Sequence, residues 1–214
     1  MNTTNAILRA AAVALAAVAP AFAAPAPAVP LLDVRYDWSD RENLEVAKSA
    51  ASCTVTLLPA EDARQNKDTI GAGIGGPLVS GAMNGWVNDG LGSLKNYGVT
   101  LRPGEEGATP ADGVAVRLTL TRAYTWQVGL KIFSMVAVKA AFTDRNGVVQ
   151  EKRYRAHGDK TNMWGAASEY VTTLNYGINN LLPALAKDLE SLCKGQPVDA
   201  YTYAGPADAP PPKK

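Results

Sequence analysis

Histidine occurs once in these 214 residues and cysteine twice. A closed zinc site made of Cys and His needs four ligands, so one chain of this composition cannot build one. Charge of either sign is missing as an excess: 21 Lys+Arg stand against 20 Asp+Glu, a net charge of +1. That leaves no global field to gather nucleic acid or an acidic membrane surface. A hydrophobic run of membrane-spanning length is also lacking. The longest candidate, Ala10 to Ala19, is about half of the ~20 residues a spanning helix needs. What the chain has is a 47% apolar fraction, enough to pack a core.

The ends carry the compartment. Arg9, the short apolar run with Val13, Leu15 and Val18, the break at Pro20 and the small residues Ala21-Phe22-Ala23 follow the order of a secretory signal peptide. Residues 1–23 are expected to be removed between Ala23 and Ala24. No cysteine follows for lipid attachment, so the expected product is a soluble periplasmic protein, with secretion beyond the cell as the second destination. Residues 24–30, Ala-Pro-Ala-Pro-Ala-Val-Pro, read as an extended linker, and 206–214, with Pro210-Pro211-Pro212, as a Pro-rich disordered tail. Between them, 31–205 is the size of one domain. In an oxidising compartment, Cys53 and Cys193 are expected to form a disulfide.

Within the domain, Thr54 to Leu58 is β-rich and stops at Pro59. Glu61 to Gly76 is polar and then glycine-rich, and reads as loop. From Pro77, apolar residues at Val79, Met83, Trp86, Val87, Leu91, Leu94 and Tyr97 recur at helical spacing. Gly81, Gly85, Gly90 and Gly92 weaken that helix, so a neighbour is expected to pack close against them. Val114 to Thr121 alternates as a half-buried strand, Ile132 to Phe142 as a second, and Val148 to Ala156 returns as a third after the turn Asp144-Arg145-Asn146-Gly147. A last apolar stripe runs from Met163 to Lys194, interrupted by Asn175 to Asn180 and by Pro183, which predicts a kink or two successive helices. The expected class is α+β: an antiparallel β-meander sheet with two helices packed on one face.

Val55 through Asp62-Ala63-Arg64, the helix ending in Tyr97-Gly98-Val99, the meander with Asp144-Arg145-Asn146-Gly147 and Tyr154-Arg155-Ala156, and the long last helix together resemble the YajG-like family of bacterial envelope lipoproteins over about residues 52–192. The resemblance implies an α+β envelope protein and brings no reaction or ligand with it. The chain departs from that family at the missing lipidation cysteine and at Gly71 to Gly76.

Candidate chemistry is sparse. Gly71-Ala72-Gly73-Ile74-Gly75-Gly76 fits G-x-G-x-x-G, but it follows a polar stretch rather than a strand, so it reads as a flexible entrance to the first helix and not as a dinucleotide loop. His157 closes a strand with no G-x-S-x-G elbow to serve. Glu61-Asp62 and Glu105-Glu106 read as solvated loop charge. Lys152, Arg153, Arg155 and Lys160 form a local basic stretch around Tyr154. It reads as a solvated strand face that can also meet lipid headgroups, an acidic glycan or an acidic partner. Tyr124, Trp126, Val128 and Leu130 lie where the first two meander strands turn, either as an exposed interaction patch or folded back on the core. No catalytic, cofactor or metal residue is assigned. The reading is a non-enzymatic envelope binding or adaptor protein, whose partner is an envelope protein or lipid and whose contacts are Tyr124, Trp126, Val128, Leu130, Arg153 and Arg155. Its rivals are a carrier of a small apolar ligand or lipid between helices and sheet, and an enzyme with a surface site near His157.

Overall fold

The computed structural model describes residues 31–41 and 46–204. The signal, with Ala23 and Ala24, the 24–30 linker and the 206–214 tail lie outside the described residues.

Three long strands, β6 (Val114–Val128), β7 (Lys131–Asp144) and β8 (Val149–Thr161), pair antiparallel as the centre of the sheet. Their apolar residues alternate, so every second side chain faces the same core. The segment before them runs beside β6 in three short steps, all parallel to it: β1 (Thr54–Leu57), β2 (Glu61–Asp62) and β3 (Thr69–Gly73). β4 (Gly76–Val79) folds back on β3, and β5 (Thr100–Pro103) lies outside β1. At the far edge, β9 (Tyr201–Ala204) pairs parallel to β8. The class is α+β, with a mixed sheet rather than a purely antiparallel one. Parallel pairs need crossovers, and two helices supply them: α1 (Asn84–Gly92), continued by a 3-10 segment Ser93–Tyr97, and α2 (Ala167–Cys193).

Several local expectations do not hold in the folded chain. The 61–76 stretch is loop only in part: Glu61–Asp62 and Thr69–Gly73 find partners along the edge of β6, while 63–68 stay irregular. Pro77 sits in β4 rather than opening a helix, and α1 starts seven residues later. The third strand runs on to Thr161. The last helix starts at Ala167, leaving Met163 and Trp164 outside it, and is continuous through Pro183.

Both helices cover one face of the sheet. α2 lies on it with side chains removed at the crossing: a Cβ on Gly158 would stand 2.6 Å from the Thr173 carbonyl oxygen, and one on Gly177 would stand 3.0 Å from Val136. Of the four glycines around the first helix, only Gly90 meets a neighbour, Ile178 of α2. Leu118, Leu120, Ile132, Val136, Leu174, Ile178, Leu181 and Leu185 fill the layer between, each at most 1% exposed.

The asparagines that interrupt the α2 stripe have a structural task. Residues 31–41 run across the helices as a strap, and Asn175 and Asn179 fasten it. Asn175 Nδ2 donates to the Arg35 carbonyl (3.1 Å) and to Asp40 (2.8 Å), and its Oδ1 accepts from the Trp86 indole (2.8 Å). Asn179 Nδ2 donates to the Asp40 carbonyl (2.6 Å) while its Oδ1 accepts from the Tyr36 hydroxyl (2.6 Å). The buried amides are thereby satisfied, and the strap covers the crossing of α1 and α2. Cys53 and Cys193 are bridged, tying the end of α2 to the segment entering β1.

Candidate functional site

The opposite face of the central strands carries no helix among the described residues, and the loop before β6 reaches only its Arg117 end. Its composition follows from one irregularity. Up to Leu120 the even-numbered residues of β6 point into the core. The register then shifts between Leu120 and Arg122, and the odd-numbered Ala123 and Thr125 take over the buried positions. A one-residue bulge moves every later side chain to the other face. Tyr124, Trp126 and Val128 are thus turned outward, Trp126 half-buried and the other two exposed. The choice between core and exposed tip resolves into a third placement: Tyr124 and Trp126 lie on the outer sheet surface, and Val128 and Leu130 at its end.

On that surface the strands bring aromatic rings side by side. Trp126 stacks between Tyr124 (6.1 Å between ring centroids) and Phe133 (5.6 Å). The edge of His157 meets Trp126 at 6.2 Å, and His157 in turn contacts Tyr203 of β9 at 5.4 Å. Arg155 Nε donates to His157 Nε2 at 3.1 Å, which fixes that nitrogen as an acceptor. Arg153 and Arg155 stand opposite Tyr201 and Tyr203 in the β8–β9 register. Beside the row opens a groove of about 460 Å³ lined by Arg64, Asn66, Thr69, Arg122, Tyr124 and Met135.

Burial among these rings, and then the Arg155 charge, hold the His157 imidazole below the usual histidine range, against the opposing effect of a hydrogen bond with the Ser134 backbone. The fold therefore favours neutral His157, and its contribution is complete above the pKa of the unfolded chain, about 6.5, and lost as pH falls through the lower folded value. Between neutral pH and pH 5, the wild type should lose stability that His157→Gln does not lose. Urea midpoints of both proteins at each pH measure this, and equal losses would contradict it.

The basic stretch does not act as one surface. Lys152 faces α2, is 3% exposed and pairs with Asp188 at 2.8 Å. Lys160 pairs with Glu169. Only Arg153 and Arg155 share the aromatic face, because a strand sends alternate side chains to opposite sides. The carboxylate pairs are likewise divided. Asp62 is buried and accepts from Arg64 Nη2 (2.8 Å) and the Met83 amide (3.0 Å), while Glu61 meets Arg117 outside (3.3 Å). Glu106 also reaches Arg117, at 3.5 Å. Gly71 to Gly76 forms the β3–β4 hairpin, not a phosphate cradle or a helix entrance. A Cβ on Gly71 would fall 2.0 Å from the Thr125 carbonyl oxygen, so glycine is needed for this close approach to β6. For the carrier reading, the Gly158 and Gly177 contacts leave no space between α2 and the sheet. A groove of about 540 Å³ does lie between α1 and strands β1 and β5, lined by Leu57, Leu58, Asn88, Gly92 and Leu101.

Sequence reasoning missed Phe133, Tyr201 and Tyr203 as members of the row. The available signal is that Phe133 shares parity with Lys131 and Lys139, opposite to Ile132, Val136 and Val138. The other two follow α2 and join only through the parallel pairing of β9.

No family model matches the chain, and no curated protein does. Among solved structures, protein XCC0632 of Xanthomonas campestris, of family DUF330, is similar with a TM-score of 0.49 at 10% identity, over 68% of this chain and 90% of that one. The hypothetical protein CT253 of Chlamydia trachomatis gives a TM-score of 0.42 at 9% identity, over 70% and 100%. A minor lipoprotein of Acinetobacter baumannii gives 0.40 at 13%, over 65% and 91%. A putative lipoprotein of Caulobacter crescentus and the rare lipoprotein B of Shewanella oneidensis also stand among the neighbours. At these scores the likenesses carry no function across.

Proposed function

We propose that this chain is an exported, non-enzymatic binding protein of the bacterial cell envelope that docks a protein partner on the outer face of β6, β7 and β8. The signal-like residues 1–23, cleaved between Ala23 and Ala24, direct export, and 31–205 form the single binding domain behind the 24–30 linker. The disulfide suits an oxidising compartment. No described helix is long and apolar enough to cross a membrane.

One observation carries the reading. The outer side of the sheet displays an interlocked row of Tyr124, Trp126, Phe133, His157 and Tyr203 with Arg153 and Arg155 beside it. Tyr, Trp and Arg dominate the energetic centres of protein interfaces, because they offer large rigid areas with a polar handle. The stacked rings are ordered before any partner arrives, which reduces the entropy lost on docking.

Trp126→Ala tests it. Trp126 is half-buried and outside the core, so its loss should lower stability by about 1–2 kcal/mol, less than the ~3–5 kcal/mol of a core aromatic. Partner retention by the tagged exported protein should fall strongly in Trp126→Ala and in Arg155→Ala. Undiminished retention in both, with the fold intact, would remove the outer face as the docking surface.

A further inference from the structure

At one end of the sheet, three turns converge and expose apolar side chains that neither the core nor the aromatic row uses. Ile74 comes from the β3–β4 hairpin, Val128 and Leu130 from the β6–β7 turn, and Met163 and Trp164 from the loop entering α2. Their exposures are 73%, 63%, 73%, 66% and 85%. Single exposed apolar residues are ordinary, but five drawn from three separate turns form a patch.

The turns are fastened together. The Asn162 amide donates to the Leu130 carbonyl at 2.7 Å, and Asn162 Nδ2 to Gln127 at 3.2 Å. Ile74 Cδ1 lies 3.8 Å from where a Cβ on Gly165 would be. The loop holding Trp164 is also pinned from beneath. The amides of Met163 and Trp164 donate to the Glu169 carboxylate at 3.1 Å each, and the Gly165 amide to Asn162 Oδ1 at 2.7 Å. Burial opposes the Glu169 charge, but these amides and Lys160 outweigh it and keep the carboxyl below the usual glutamate range. A buried, ionised side chain thus holds Trp164 in solvent.

We infer that this end inserts its apolar tips into the surface of a lipid bilayer. The argument is one of chemistry and shape. Trp with Ile, Leu, Val and Met is the composition of interfacial anchors, the indole resting at headgroup depth and the aliphatic groups below it. The nearest charges form a collar behind the tips. Lys131 is paired with Asp159 and Lys160 with Glu169, and Glu169 itself is buried. No unpaired carboxylate among the described residues of these turns would be pressed against anionic headgroups. The tips come from three turns fastened together at one end of the sheet, which suits a fluid planar surface. The inference is independent of the protein docking face, which shares none of Ile74, Leu130, Met163 or Trp164.

The test uses full-length protein and its Leu130→Ser/Met163→Ser/Trp164→Ser variant, both with the same N-terminus. Each is sedimented with vesicles of phosphatidylethanolamine and phosphatidylglycerol. The variant should partition at least about tenfold less, with unchanged circular dichroism and an intact disulfide. Wild-type indole fluorescence should be quenched by lipids brominated in the acyl chain, and Trp164→Phe should abolish that quenching while still binding. Equal partitioning of wild type and variant would overturn the inference. So would quenching that survives Trp164→Phe, or a wild type that ignores vesicles but self-associates through these residues in sedimentation equilibrium.

Discussion

Reduction of the Cys53–Cys193 bridge, or replacement of both cysteines by serine, should lower stability by about 3–5 kcal/mol, among the largest effects in the molecule. The bridge closes a span of 140 residues, nearly the whole described fold, so it removes many conformations from the unfolded chain. It also performs a local task. Cys193 is the last residue of α2 and Cys53 immediately precedes β1, whose partners are the short β5 and the start of β6. Those parallel pairs are only three or four residues long, and a covalent tie compensates for their brevity. Urea unfolding with and without reductant measures the effect, and an unmoved midpoint would contradict it.

A second large effect is expected at Asp188. Its carboxylate lies under α2 against the inner face of the sheet, where it accepts from Lys152 Nζ at 2.8 Å and from the Tyr154 hydroxyl at 2.5 Å. Lys152 is 3% exposed and Tyr154 is 1% exposed. Burial pushes the Tyr154 hydroxyl far above the usual tyrosine range, and the Asp188 hydrogen bond and charge push it further, so it remains a neutral donor. Asp188→Ala leaves an ammonium ion in the core layer without its counter-charge, which costs about 3–5 kcal/mol when one member of a buried pair is removed. The double change Lys152→Met/Asp188→Leu should recover most of that loss, because apolar replacements dispense with the desolvation of both ions. If the single and double variants unfold at the same urea concentration, the buried-pair account fails.

How far the sequence reveals this fold depends on the length of each pattern. β6, β7 and β8 carry 13 to 15 residues each, long enough for period-two alternation to stand out. The α2 stripe is equally plain, and Pro183 did not break it because the helix is held against the sheet along its length. The short edge strands are illegible. β2 has two residues and β3 has glycine at two of its five, and both exist because β6 offers unpaired backbone groups along its edge. Helical spacing from Pro77 mistook β4 for the start of α1 for the same reason. The site was half legible. Tyr124, Trp126, Arg153 and Arg155 stand out in the chain. Their common surface depends on the bulge after Leu120, without which Tyr124 and Trp126 would share the inward parity of Leu118 and Leu120. Trp164 falls inside the span read as the last helix, so only the folded loop before α2 shows it exposed.

The central claim is that the outer face of β6, β7 and β8 is the docking surface, and site-specific photocrosslinking tests it most directly. A photoreactive residue replaces Met135, which lies between Tyr124 and His157 in the strand register, and a control probe replaces Lys187 on the exposed side of α2. In cells of the native host, the Met135 probe should yield one discrete protein adduct that disappears when Trp126→Ala is added, while the Lys187 probe yields none. Adducts from Lys187 but not from Met135, or a Met135 adduct indifferent to Trp126, would contradict it.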